Sequence, residues 1–292
     1  MAVSGKTAGL LKLFEGKNEM KKLLLLMIIL AASGITMAAE PDGQLHGTIN
    51  IDYVTRYVWR GYDAYGNNHS AIQPSVDLDL FGTGFGAYIW SSRANGSGFE
   101  NSEWLSYTLY YGTMFFADEP YALATKVGYT YFSYPDEPQK GSLDGAGAPG
   151  AAGHAEEVFL GVAMPKITGV KGLVPSYAAF CYYPAKSGAF NAGNAGWAHV
   201  FALNYDMEIP SLIDSSTTQT LHMGVHTVYN DGVGPNPNAD HDWSHGVFNI
   251  GLDFPISECL TFTPGFNIQS SWDDSVNKDD EYWTSLSLSY KF

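Results

Sequence analysis

Charge is scarce in this sequence, and most of it has one sign: 292 residues carry 15 Lys and Arg against 30 Asp and Glu, a net charge of −15. A nucleic-acid partner needs a basic footprint, so that class is set aside. The same imbalance argues against a pore built for anionic solutes. Helical periodicity is nearly missing, which leaves an all-β protein of many short strands and turns, rich in aromatics and in glycine, with 32 Gly, 19 Tyr and 16 Phe. Long apolar runs are missing too. Leu23 to Ala32 is too short for a transmembrane helix and has no charged stop behind it, and no later run reaches the ~18 residues that a helical anchor needs. Cysteine is limited to Cys181 and Cys259, which fall in different candidate strands. Export would permit a bridge between them; the plainer reading is two isolated small apolar residues.

The apolar run belongs to a leader. Lys21 and Lys22 form a positive n-region, Leu23 to Ala32 the apolar core, and Ser33 to Ala39 a small-residue cleavage region, with the cut after Ala38 or Ala39. Met20 reads as the natural start, which makes residues 1–19 a mis-called extension. The expected organisation is a signal peptide over residues 1–38 and one domain over residues 39–292. Removing residues 1–38 takes away Lys6, Lys12, Lys17, Lys21 and Lys22 but only Glu15 and Glu19, so the mature chain is more acidic than the precursor.

Beyond the leader the chain shows period-2 alternation. In Glu281 to Phe292 one face reads Tyr282, Thr284, Leu286, Leu288, Tyr290 and Phe292, and the other Trp283, Ser285, Ser287, Ser289 and Lys291. Eleven earlier segments repeat the pattern: about Gly47–Gly61, Ala71–Phe81, a third ending near Trp90, Glu103–Thr113, Tyr121–Tyr134, Glu156–Met164, Leu173–Tyr183, Trp197–Met207, Thr217–Tyr229, His245–Phe254 and Leu260–Ser270. Connections after even-numbered strands are short, as in the Gly82–Gly84 turn, and those after odd-numbered strands are longer, as in the Gly-, Ala- and Pro-rich stretch 135–154. Short turns on one side, long loops on the other and an even strand count are what outer-membrane barrels show. Lipid requires every backbone group to be bonded within the protein, and among sheets only a closed barrel achieves this. The expectation is a transmembrane antiparallel up-and-down β-barrel of about 12 strands. Tyr57, Trp59, Tyr131, Tyr134, Tyr182, Tyr183, Trp197, Tyr229, Trp243 and Tyr282 would form its interfacial girdles. Leu288, Tyr290 and Phe292 resemble the C-terminal strand signature of Gram-negative outer-membrane β-barrels, a resemblance that implies an assembly signal for the barrel assembly machinery.

Candidate site residues lie on the polar faces. Asp52, Arg56 and Arg60 of the first strand would face Asp77 and Asp79 of the second, with Lys126 of the fifth in the same lumen. Opposite charges across an antiparallel pair stabilise each other. Two readings stand open: a charged constriction that selects solutes, or an ion-pair network that plugs a narrow barrel. His222 and His226 share the lumen face but sit ~13 Å apart along a strand, too far for one metal. Asp240, His241, Asp242 and His245 form a denser loop cluster, read as solvated polar loop, so neither metal nor cofactor is expected. An enzyme on the outer wall would need a nucleophile beside a base. His199 is the His nearest the lipid face, and no Ser motif accompanies it, so no enzyme is expected.

Four stretches carry a family resemblance: YVTRYVWRG (Tyr53–Gly61), AIQPSVDLDLFGTGFGAYIW (Ala71–Trp90), VGYTYFSYP (Val127–Pro135) and EEVFLGVA (Glu156–Ala163). In type and order they resemble the TorF-like family of outer-membrane porins. The Arg-x-x-x-Arg-Gly opening followed by the Gln-Pro strand is the most specific part, and the C-terminal half matches in pattern alone. The resemblance implies a Gram-negative outer-membrane location and lipid as the surrounding partner. Together with the charge, it implies passive diffusion of small hydrophilic solutes, neutral or cationic. The alternative is a structural or surface-binding barrel whose lumen is closed by its own side chains.

Overall fold

Alternation of this kind leaves every strand with an apolar and a polar face, and twelve of them close on one another. The computed structural model describes residues 43–66, 69–99, 102–135, 154–185, 195–213, 217–233 and 239–292. The leader lies outside the described residues, as does most of the loop at 135–154. The strands are β1 (Leu45–Val54), β2 (Ala71–Leu80), β3 (Phe85–Ala94), β4 (Trp104–Phe115), β5 (Leu123–Ser133), β6 (Ala155–Ala163), β7 (Leu173–Pro184), β8 (Gly196–Pro210), β9 (Thr218–Asp231), β10 (His241–Leu252), β11 (Leu260–Ser271) and β12 (Glu281–Lys291). Each pairs antiparallel with the next. β12 pairs back onto β1 in a register running from Thr48↔Lys291 to Val54↔Ser285. The result is a closed antiparallel 12-stranded barrel. Closure satisfies the two edges that an open sheet would expose. Gly47 and Phe292 exchange both backbone hydrogen bonds at the seam, each at 3.0 Å. Among the described residues no helix is long and apolar enough to cross a membrane.

The pleat sorts side chains as the alternation requires. Ile49, Ile51, Ile72, Ile89, Leu109, Leu160, Phe201, Val225, Phe248, Phe266, Leu286 and Leu288 are exposed on the outer wall. Ser, Thr, Asn, Asp and Gly alternate with them and face the lumen. An exposed apolar band around a closed barrel is the surface that lipid covers. Cys181 and Cys259 are both free thiols, so no bridge forms between them.

The lumen differs between its two halves. In the half that carries the long connections, wall residues from every side are buried: Val54, Gln73, Ser92, Trp104, Phe132, Glu157, Ala198, Val228, His245, Gln269 and Glu281. In the half that carries the short turns, lumen-facing residues such as Asp79, Lys126, Asn204 and Asp206 remain exposed. The difference arises from a departure from the expected strand limits.

The first strand does not run to Gly61. It leaves the wall after Val54, and residues 55–66 turn inward as a short hairpin, Val58–Trp59 paired with Tyr62–Asp63. Thr55 makes the exit. Its N–H still reaches the Thr284 carbonyl at 3.0 Å. Its hydroxyl, in place of a backbone carbonyl, accepts the Thr284 N–H at 2.9 Å. The wall stays satisfied while the chain departs. Arg60 (φ 47) and Gly61 (φ 95) form the two-residue tip. Positive φ at both positions is the primed turn geometry that matches the twist of a tight hairpin.

Candidate functional site

The inward hairpin spans the barrel. Its base is at β1 and its tip touches β6, β7, β10 and β11. The Arg60 guanidinium pairs with Glu157 of β6 and lies 4.5 Å from the ring centre of Phe180 on β7. Arg56 pairs with Glu281 of β12, with Asp63 at 3.9 Å. The Gly61 carbonyl accepts hydrogen bonds from Gln269 Nε2 of β11 at 2.6 Å and from Asn277 Nδ2 at 3.0 Å. A side chain at Gly61 has no room, because its Cβ would sit 2.5 Å from His245 Nδ1 on β10.

Aromatic packing fills the remaining space. Tyr57 meets Trp90 and Trp104 at ring-centre distances of 5.5 Å each. Trp59 meets Trp104 at 5.2 Å, Phe132 at 6.2 Å and Tyr182 at 5.7 Å. Tyr65 donates its hydroxyl to Ser92 at 3.0 Å. Edge-to-face pairs of this kind contribute ~0.5–1.5 kcal/mol each beyond the area they bury. Burial raises the phenol pKa values of Tyr57, Tyr62 and Tyr134, and it pushes Tyr65 up to about 12.

These contacts correct the expected placement of Arg56 and Arg60. They do not lie on the β1 wall, and they do not pair with Asp77 and Asp79; their partners are Glu281 and Glu157. Tyr57 and Trp59, expected at the lipid interface, are inside the barrel, as are Tyr134, packed on Trp104, and Tyr182. For Arg56, Tyr57, Trp59 and Arg60 the physical reason is that the chain leaves the wall at Thr55, after which alternation no longer distinguishes lipid from lumen. Tyr134 and Tyr182 stay at the wall and turn inward, where the hairpin and its socket supply aromatic partners. The sequence did contain one signal of the turn, the pair Arg60-Gly61 flanked by the aromatics Trp59 and Tyr62.

Below the hairpin the remaining predicted residues occupy the open half. Asp52 of β1 hydrogen-bonds Ser287 of β12. Tyr110 of β4 donates its hydroxyl to Asp77 of β2 at 2.6 Å. The Lys126 ammonium of β5 lies 3.6 Å from the centre of the Tyr110 ring. Asp79 serves the β2–β3 turn, accepting the Gly82 N–H at 3.0 Å. Asp77, Tyr110 and Lys126 thus form one group, while Asp79 belongs to the turn. A cavity of about 490 Å³ lies beside Lys126, bordered by small residues including Gly112, Gly161, Ser176 and Ala178. At the short-turn mouth His222 is held between Asp206 at 2.8 Å and Asp253 at 3.0 Å. Both ring nitrogens are engaged, which leaves neither for a metal.

The Asp240–His245 stretch is largely strand. β10 starts at His241, which pairs with Asp231. A bulge leaves Ser244 out of the register with β9, its hydroxyl donating to the Val228 carbonyl at 3.2 Å, and turns His245 inward against Gly61. Among the described residues no group of three His, Cys, Asp or Glu is arranged to hold a metal. On the outer wall, His199 Nδ1 is bonded to the Tyr177 hydroxyl at 2.8 Å, and its ring stacks between Tyr177 and Trp197.

A closed 12-stranded barrel with an apolar outer belt and a polar lumen is the fold of outer-membrane β-barrels, porins among them. No family model matches the sequence, and no curated protein is similar to it. Among solved structures the chain is similar to a KdgM porin, with a TM-score of 0.50 at 11% identity over 84% of this chain and 99% of that one. It is equally similar to a NanC porin, with a TM-score of 0.50 at 11% identity over 84% of this chain and 100% of that one. At these identities the likeness establishes the fold and carries no residue-by-residue correspondence.

Proposed function

We propose that this chain is a porin-like channel of the Gram-negative outer membrane that passes small hydrophilic solutes, neutral or cationic, by passive diffusion. The observation that carries the reading is the charge of the open half-lumen. Asp52, Asp77, Asp79, Asp206 and Asp253 lie in that half with Lys126 and with His222, which pairs with Asp206 and Asp253, so carboxylates outnumber cationic groups there, and the two arginines above are already paired with carboxylates. A ring of acidic side chains in a confined aqueous space favours cations over anions. The signal peptide over residues 1–38 would export the chain, outer-membrane lipid would surround it, and Leu288, Tyr290 and Phe292 would engage the barrel assembly machinery. The resemblance to TorF-like porins agrees in location and leaves the solute open.

The test is conductance in planar bilayers with graded sugars as size probes. A steady current with a cation-selective reversal potential supports the reading, and anion preference sinks it. One observation favours a second reading, a structural barrel closed by its own side chains: the upper lumen is filled by the hairpin. Persistent electrical silence, retained when the hairpin is shortened, would favour that alternative.

A further inference from the structure

We infer that residues 55–66 form a hinged plug that closes the long-loop mouth of the barrel and swings out to open it. The inference rests on the channel reading and assigns the gate of that channel. The hairpin is not part of the wall: among the described residues its strands pair only with each other, as a separate two-stranded sheet. An isolated two-stranded ribbon is marginal by itself, so its position depends on the socket that receives it. That socket has an aromatic side (Trp90, Trp104, Phe132 and Tyr182) and two charged latches on nearly opposite walls, Glu281 of β12 for Arg56 and Glu157 of β6 for Arg60.

The energetics suit a two-state element. Withdrawal would hydrate two guanidinium groups and two carboxylates, and regained hydration offsets much of the lost attraction in a buried pair. The ion pairs therefore fix where the tip docks, and aromatic burial supplies most of the closing force. Candidate hinges stand at both ends. Thr55 releases the chain from the β1–β12 ladder, and Gly66 (φ 65) turns it back, its N–H held by Asp63 at 3.0 Å. Under the plug, the cavity beside Lys126 and the acidic half-lumen form a vestibule whose upward exit is the hairpin itself.

The experiment replaces Cys181 and Cys259 by Ser and compares three full-length variants in planar bilayers. In the first, Gly61→Cys with His245→Cys joins tip to wall under oxidation; the ideal Gly61 Cβ lies 3.1 Å from His245 Cγ. The second is Glu157→Gln with Glu281→Gln, and the third replaces residues 57–64 by Gly-Ser-Gly. A closed resting state predicts an open fraction on the order of 1% in the parent. It also predicts near silence in the oxidised pair with recovery on reduction, an open fraction raised from ~1% to the majority state in the double Gln variant, whose buried guanidinium groups lose both counter-charges, and persistent current in the shortened one. Full current through the oxidised pair overturns the plug and leaves the channel intact. Silence of the shortened variant, with heat-modifiable folded barrel present, overturns the channel reading itself. As a readout apart from current, Lys126→Cys in intact cells should react with an externally added impermeant maleimide only in the shortened or double Gln background; equal labelling in the parent counts against the plug.

Discussion

Arg60 and Glu157 meet across the lumen of the barrel, the arginine at the tip of a hairpin rooted in β1 and the glutamate on β6. Both side chains are largely buried, at 14% and 5% exposure. The pair therefore relates the two walls through the interior, where neighbouring strands cannot.

Breaking that pair from one side should be costly. Glu157→Gln leaves a buried guanidinium without its counter-charge, a loss of ~3–5 kcal/mol in pairs of this kind. Replacing both members, Arg60→Met with Glu157→Met, should come much closer to neutral. Protease sensitivity of the hairpin and urea unfolding of the folded barrel measure both. Equal losses in the single and double variants would mean that the pair adds no coupling.

Glycines at positive φ should respond according to what faces them. Gly61→Ala meets His245 and a left-handed backbone at once, so the tip cannot seat; the strain alone is ~1–3 kcal/mol. Gly66→Ala carries the backbone strain without a clash, because nothing lies within 4 Å of its Cβ position. Hairpin protease sensitivity should therefore rise more for Gly61→Ala than for Gly66→Ala.

Alkali should loosen the hairpin core before the wall. Burial raises the Tyr65 phenol to about 12, and Glu103 adds to it against the Ser92 hydrogen bond. A phenol kept neutral in the folded state contributes stability that is complete below its unfolded pKa near 10 and is lost as pH rises toward 12. Tyr57 and Tyr134, also raised, act in the same direction. Tyrosinate absorbance and hairpin proteolysis should rise together across that window, and Tyr65→Phe should reduce the effect.

Cation preference should weaken when Asp52 and Asp77 become Asn together. The half-lumen keeps its shape but loses two of its acidic side chains, so the reversal potential should shift toward zero. An unchanged potential would place the selecting charges elsewhere.

Deleting Phe292 should lower the yield of heat-modifiable barrel more than it alters conductance. The deletion removes both backbone bonds to Gly47. It also removes a ring packed where a Gly47 Cβ would come within 2.6 Å. Normal barrel levels would argue against a role for this residue in assembly.

Strand number, barrel closure and, apart from wall residues such as Tyr182, the sorting of side chains between lipid and lumen were legible in the sequence, because a pleated strand has a fixed period of two and a lipid-facing wall tolerates few exceptions to it. The same rule assigned Asp77 and Lys126 to one face, and the Tyr110 side chain lies against both. The hairpin was not legible. Tyr57, Trp59, Arg56 and Arg60 continue the alternation of β1 without a break, so their pattern is the same whether the chain stays in the wall or turns inward. Glu157 and Glu281, distant in sequence, are the partners that distinguish the two cases, and only closure of the barrel brings them to Arg60 and Arg56. Local periodicity determined the wall. The three-dimensional meeting of charges and aromatics inside it decided what fills the lumen.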